Sequence, residues 1–284
     1  MLAEQQMWRY RLHKVFTKGI LYVGLLAGAA LMMLPFVWML TSSIKAPEEI
    51  TLRTIQWLPK AAQWQNYKIA WEAAPFNVYF KNSFLIAITV MGLDVVFSSL
   101  AAYAFAKLNF FGKNFLFLLF LGTMMIPGEV MLIPNYITMV NLGWVDTYAA
   151  LIVPWTVSVF SIFLLRQFFL SIPHELFEAA VLDGCSRFKY LIQIMVPLSK
   201  PALVTVALFK FIGSWNSFLW VLIMTNTPTM RTIPVGLTYF VSDVGSYYNY
   251  LMAASTFAMA PILLLFLLLQ KQFIQGIART GLKG

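Results

Sequence analysis

Long apolar stretches almost free of charge alternate with short polar connections along this chain. Residues 19–44 run between Lys18 and Lys45 without a charge, and residues 82–106 run between Lys81 and Lys107 with only Asp94 inside. A third stretch starts at Asn114 and meets Pro127-Gly128-Glu129, where a helix should break or end. A fourth lies within 147–165, between Asp146 and Arg166. A fifth starts near Pro201 and carries one charge, Lys210, and a sixth lies in 244–270. Crossing the hydrocarbon as a helix takes roughly 20 mostly apolar residues. Lipid offers no partner to an unpaired backbone group, so the spans must be helical. The pattern predicts an all-α membrane protein with six transmembrane helices.

Composition agrees. Of 284 residues, 60% are hydrophobic and 11% charged, with a mean hydropathy of +0.76, whereas a soluble domain carries about 25% charged residues. An even number of spans puts both termini on one side, and basic residues decide which. With the N-terminus inside, the inner segments hold Arg9, Arg11, Lys14, Lys18, Lys107, Lys113, Arg166, Arg187, Lys189, Lys200, Lys271, Arg279 and Lys283. The outer segments hold only Lys45, Arg53, Lys60, Lys68, Lys81 and Arg231. Both ends are therefore expected in the cytoplasm. This asymmetry also accounts for the net charge of +9 without a nucleic-acid partner.

The first apolar run is too long for the core of a signal peptide and lacks a clear small-residue cleavage site. It reads as a retained span. Residues 1–18 before it form a basic amphipathic lead-in, Trp8 to Phe16, expected on the inner membrane surface. Residues 19–284 then make one six-span domain. The single cysteine, Cys185, excludes an intrachain disulfide or a cysteine metal cluster. Two outer segments stand out, one from about Ser42 to Tyr79 and one from Thr225 to Asn249. The first is too short for a core of its own and should pack on the spans.

One polar insert, residues 173–197, interrupts the apolar pattern between the fourth and fifth spans. Pro173 and Glu175 suit the first turn of a helix, and Gly184 suits its C-terminal cap. Ser186 can cap a second helix. Phe188, Leu191, Ile192 and Met195 recur at i, i+3, i+4 and i+7 as one apolar face. Pro197 is expected to end it. The prediction is two short helices at an angle, with small Ala179 and Ala180 offering a close approach to another protein. An amphipathic hairpin lying on lipid has the same periodicity.

Glu178-Ala179-Ala180, Gly184 four residues after the second Ala, and Ile194 with Pro197 beyond it resemble the coupling loop of binding-protein-dependent ABC importer permeases. Val196 stands where that pattern has Leu, and Cys185 follows the Gly. Four further segments resemble the carbohydrate-uptake, maltose-type branch: Met125 to Pro134, Asn141 to Tyr148, Gly213 to Phe218 and Arg231 to Gly236. The ending Gln272 to Gly284 is similar to the tail of the partner lacking extra N-terminal spans. The resemblance implies a permease in a bacterial or archaeal cytoplasmic membrane, surrounded by membrane lipid. It implies a second permease subunit, two ATP-binding subunits and an extracytoplasmic substrate-binding protein. It assigns coupling to the ATPase to Glu178, Ala179, Ala180, Asp183, Gly184, Ile194 and Pro197.

Chemistry of its own is not expected of the chain. The only Gly-Lys, Gly112-Lys113, is followed by Asn114, so no phosphate-binding loop exists. No cofactor, metal site or nucleophile elbow is predicted. His13 and His174 belong to segments that cannot share an ion. With those motifs missing, an intramembrane enzyme is the runner-up from a different class, and a secondary transporter would leave the 178–197 pattern unexplained. Five positions are candidates for the substrate pathway. Asp94 is either a buried structural partner or a pathway carboxylate, and Glu129 is a rim charge or a ligand. Lys210 snorkels to the inner interface, pairs with an acid such as Asp94, or faces the pathway and favours an acidic sugar or polyol phosphate. Trp215 and Asn216 offer a flat apolar face and an amide, or pack between helices.

Overall fold

The computed structural model describes the backbone of residues 2–51, 54–241 and 247–281, with side chains described for Lys14 and from Phe16 to Lys271. The predicted amphipathic face of Trp8 to Phe16 and the tail from Gln272 lie largely outside the described side chains. Every regular element among the described residues is helical.

In chain order these are α1 (Leu2–Ser43), α2 (Pro47–Ile50), α3 (Gln65–Glu72), α4 (Phe76–Lys107), α5 (Lys113–Thr123), α6 (Leu132–Asn141), α7 (Tyr148–Ile152) and α8 (Val159–Leu170). There follow α9 (Glu175–Leu182), α10 (Arg187–Tyr190), α11 (Val196–Leu198), α12 (Lys200–Trp215), α13 (Leu219–Met224), α14 (Ile233–Gly236) and α15 (Tyr248–Gly281). Among the described residues four segments are long and apolar enough to cross a membrane: Phe16–Ser43, Phe76–Lys107, Tyr148–Leu170 and Tyr248–Lys271. Two bent pairs bring the number to six. Lys113–Thr123 meets Gly128–Asn141 at 89°, with Pro127 at the turn as the sequence predicts. Arg187–Leu198 meets Lys200–Trp215 at 82°. No break separates the lead-in from the first span, because α1 is one helix through both.

Contacts group the chain into two compact units, one of Met1–Trp71 with Phe240–Phe257 and one of Glu72–Tyr239 with Ala258–Gly284. In the first unit the segment after α1 is held by buried polar contacts. Lys45 is fully buried, its ammonium 2.6 Å from the Gln56 carbonyl and 3.9 Å over the Trp38 ring. Burial pushes its pKa below the usual lysine value, and Glu49 opposes that shift. The Asn66 amide donates to the carbonyls of Ser43 and Lys45, and Ser43 shares a 2.7 Å hydrogen bond with Tyr67. This segment therefore packs on its own span through satisfied polar groups rather than a core of its own. The apolar side chains of α1, such as Leu26, Leu31 and Met32, point outward, where hydrocarbon solvates them.

The second unit is organised by α4, which packs along both α8 and α12. Its buried positions Ser83, Ala87, Val90, Asp94, Ser98 and Ala102 recur every three or four residues, one face of a helix. Small residues on that face let neighbouring helices approach closely. At one end of α4, the Asn82 amide donates to the carbonyls of Thr229 and Arg231 and accepts from the Tyr148 hydroxyl at 2.6 Å. The Ser83 hydroxyl accepts from the Ile233 N–H. At the other end, the Lys107 ammonium lies 2.7 Å from the Ile172 carbonyl, and Arg166 reaches the Phe105 carbonyl and covers the Phe117 ring. These two belts fix where the loop and the cavity described next can stand.

Candidate functional site

The 173–197 insert folds as two helices, and Gly184 makes the turn between them. Its φ of +74° is in the left-handed region, where a side chain is strained. The Gly184 N–H donates to the Val181 carbonyl at 3.0 Å, and the Cys185 N–H to the Ala180 carbonyl at 2.8 Å. These paired bonds satisfy the last carbonyls of α9 in the Schellman arrangement. Asp183 is the C-cap residue, and Ser186 caps α10 by accepting from the Lys189 N–H. Glu175 and Glu178 occupy the first turn of α9, as its dipole favours. Glu178 is exposed, 3.9 Å from His174.

Four details of the insert correct the sequence reading. Ala180 does not face outward: it is buried against a core that includes Tyr190, Leu191 and Met195. Only Ala179 remains exposed. The apolar face of the second helix is Tyr190, Leu191, Ile194 and Met195, while Phe188 and Ile192 are exposed. Residues 191–195 form a π-turn within this helix. Pro197 does not end the helix. The wider turn just before it relieves the clash of its ring with the preceding turn, and the helix continues to Leu198. The bend comes at Ser199, the cap residue of α12, whose first turn holds Pro201. Pro173 lies one position before the cap residue His174, outside the first turn.

The knob is anchored by aromatic contacts. Tyr190 is almost fully buried, its ring 5.1 Å from Phe177 and 6.4 Å from Tyr103 of α4. Its tip is apolar and bare, with Leu182 88% and Phe188 65% exposed.

A second polar feature lies within the helices. Asp94 is fully buried on α4 and accepts from the Ser161 hydroxyl at 2.7 Å and from Ser98 at 3.3 Å. The Lys210 ammonium of α12 stands 3.8 Å from the same carboxylate. Of the alternatives open for Lys210, the structure takes the ion pair and not the snorkelling side chain. Losing one partner of a buried pair strands the other charge, at a cost of about 3–5 kcal/mol. Lys210 also borders a cavity of about 280 Å³ with Trp155, Ser214, Ser217 and Trp220.

The remaining candidates separate. Trp215 is buried; its indole N–H donates to the Ala258 carbonyl, and its ring meets Phe84 at 4.8 Å and Phe211 at 5.6 Å. It packs helices together and does not border the cavity. Asn216 is exposed at the C-cap of α12, and Glu129 is exposed in a 3-10 turn after Pro127. Sequence reasoning missed Ser161, Trp155, Trp220 and Asp146, which gain meaning only from long-range partners. Asp146, at φ +62°, is a non-glycine residue in the left-handed region. Its carboxylate accepts from the N–H groups of Asn226 and Thr227 and from the Thr227 hydroxyl. Burial works to raise its pKa, but these hydrogen bonds outweigh it and hold the carboxyl below the usual range.

Comparison with known proteins agrees with this architecture. Residues 94–279 match the family described as the binding-protein-dependent transport system inner membrane component. The arabinooligosaccharides transport system permease protein AraQ of Halalkalibacterium halodurans is 39% identical over 213 residues, 75% of this chain and 76% of that protein. The trehalose/maltose transport system permease protein MalG of Thermococcus litoralis is 34% identical over 278 residues, 95% of this chain and 99% of its own. The fold is shared with a chain from a bacterial ABC transporter that imports the acidic polysaccharide alginate. That match has a TM-score of 0.81 at 23% identity and covers 90% of this chain and 96% of the other. With a helical fold of up to six spans and a family match over more than half its length, this chain belongs to the binding-protein-dependent transport system inner membrane component family, as a multi-pass membrane permease.

Proposed function

We propose that this chain is one of two different permease subunits of an ATP-driven importer of sugars or oligosaccharides, with the Glu178–Pro197 knob as the site where an ATP-binding subunit docks. The observation that carries this reading is the knob itself. A helix pair locked by the Gly184 turn and the Tyr190 anchor presents an apolar tip at Leu182 and Phe188 that this chain leaves uncovered. Beside the tip stand Glu178, Ala179 and Asp183, while Ile194 holds the second helix on the core and Pro197 stands near the bend into α12. A push on the knob is passed through Ser199 into the helix that carries Lys210. Alternating access then follows as α12 and its neighbours reorient. The substrate class is supported by the names of the two curated relatives, both for oligosaccharide or disaccharide transport. The basic residues Lys107, Lys113, Arg166 and Lys189 belong to the knob end of the helices, which favours a cytoplasmic knob. An external binding protein would deliver the sugar from the opposite side.

Cross-linking tests the docking assignment. With Cys185 replaced by Ser, a cysteine at Leu182 in the assembled transporter should form a bridge to the ATP-binding subunit. The yield should change when ATP is bound. A chain that inserts and assembles yet gives no such bridge overturns the assignment.

A further inference from the structure

We propose that the cavity beside Lys210 is a site for a single neutral sugar ring, and that Asp94 sets its preference for neutral over acidic saccharides. The inference rests on the permease reading above and gives it a specificity determinant within this chain.

Two breaks in the helices meet at this cavity. Within the candidate span Tyr148–Leu170 the helix is interrupted between Trp155 and Val159, and α12 gives way to α13 between Trp215 and Leu219. Trp155 flanks the first break, and Ser214, Ser217 and Trp220 flank the second; all four line the cavity. Irregular backbone at membrane depth persists only where protein buries it or a wet cavity solvates it. Interrupted helices are also where membrane transporters of other kinds hold their substrates.

The lining has the chemistry of a saccharide site. Trp155 and Trp220 stand edge to face, 5.6 Å apart; Trp220 is buried and backs the site, while the exposed Trp155 gives flat apolar surface for the C–H face of a sugar. The indole N–H of Trp220 is already committed to the Ala150 carbonyl. Orientation is left to the hydroxyls of Ser214 and Ser217 and the ammonium of Lys210. At about 280 Å³ the space lies just below the lower end of the range for small-molecule pockets, roughly 300–1,000 Å³. It suits one ring of a chain at a time.

Charge decides the preference. Lys210 is partly open to the cavity, whereas Asp94 is sealed behind it and held in place by Ser98 and Ser161. The cavity therefore meets the positive end of a neutral pair and not a free cation. Such a group donates to a hydroxyl but attracts an anion weakly. With Asp94 neutral, the same ammonium becomes an unbalanced charge in a low-dielectric site, where its field is strong.

The test uses the assembled transporter, with Gly213→Cys as the reporter, since Gly213 borders the cavity with open space around it, Cys185→Ser, and the cysteines of the other subunits removed. Neutral, anionic and cationic methanethiosulfonates probe the cavity, and maltotriose and trigalacturonate serve as neutral and acidic ligands. Maltotriose should slow labelling and trigalacturonate should not. Asp94→Asn should raise the ratio of anionic to cationic labelling rates several-fold and allow trigalacturonate to protect. Lys210→Gln should lower that ratio, and the double variant should return it to the parent value. General loosening of the fold would move both single variants the same way, so opposite shifts separate charge from damage. A cysteine that never reacts, protection by neither sugar, equal protection by both in the parent, or a ratio indifferent to the single variants overturns the proposal. Labelling needs no ATP, so its failure is distinct from failure of the Leu182 bridge to the ATP-binding subunit.

Discussion

Asp146 and Thr227 are 81 residues apart in sequence, yet the Asp146 carboxylate accepts from both the N–H and the hydroxyl of Thr227, at 3.1 and 2.9 Å. The Asp146 N–H returns a bond to the Met224 carbonyl at 2.8 Å. One side chain thus closes the loop before α7 onto the loop after α13. Both loops came from separate sequence segments, Asn141 to Tyr148 and the stretch following Gly213 to Phe218, with nothing local to connect them.

This tie should survive mild acid. The folded-state pKa of Asp146 lies below the usual carboxylate value, so its contribution is complete above that value and is lost only as pH falls through the lowered one. Asp146→Asn, which tolerates the left-handed backbone, should cost about 1 kcal/mol through weakened hydrogen bonds. Asp146→Ala should cost more, because it loses every acceptor and adds backbone strain. Hydrogen exchange at the Asn226 and Thr227 amides reads the effect. Equal protection in all three proteins would refute it.

At Gly184 the expected loss is of coupling rather than of insertion. Its φ of +74° makes Leu costly there, while open space around the position means no clash adds to the strain. Gly184→Leu should tilt α9 against α10 and uncouple ATP hydrolysis from uptake in the purified complex. Gly184→Asn, which enters the left-handed region more readily, should retain more coupling. Normal substrate-stimulated hydrolysis and uptake in the Leu variant would show that the turn does not transmit.

Gly236 carries a different constraint. A Cβ there would overlap Cδ2 of Tyr79 and stand 2.6 Å from Cε2. Tyr79 is buried on α4 and packs edge to face with Phe76, so its ring has little room to yield. Gly236→Ala should destabilise by about 1–3 kcal/mol, the usual range for overpacking. Adding Tyr79→Leu should recover part of that loss by removing the ring. Thermal unfolding of the detergent-solubilised protein measures both, and additive penalties would exclude the steric cause.

Orientation is open to direct labelling. With Cys185 replaced by Ser, a cysteine at Ser186 should react with a membrane-impermeant maleimide only after cells are broken, because basic residues cluster in the segments at the knob end. Reaction in intact cells would invert the topology.

Much of the architecture was legible in the sequence because bilayer thickness imposes a length on apolar runs, and charges mark their ends. The break at Pro127 and the turn at Gly184 were legible for a local reason, since each depends on the backbone freedom of one residue. The inward turn of Ala180 and the passage of the helix through Pro197 were not. The first follows from packing against Tyr190 and its neighbours and the second from the π-turn just before the proline, neither of which periodicity records. The sequence by itself determined the class, the number of apolar segments and the place of the knob. Only the tertiary structure decided that Lys210 pairs with Asp94, that Trp215 packs inward while Trp155 and Trp220 border a cavity, and that Asp146 ties two distant loops. A buried charge or an indole N–H takes whatever partner folding brings within hydrogen-bonding reach, and no local pattern records that partner.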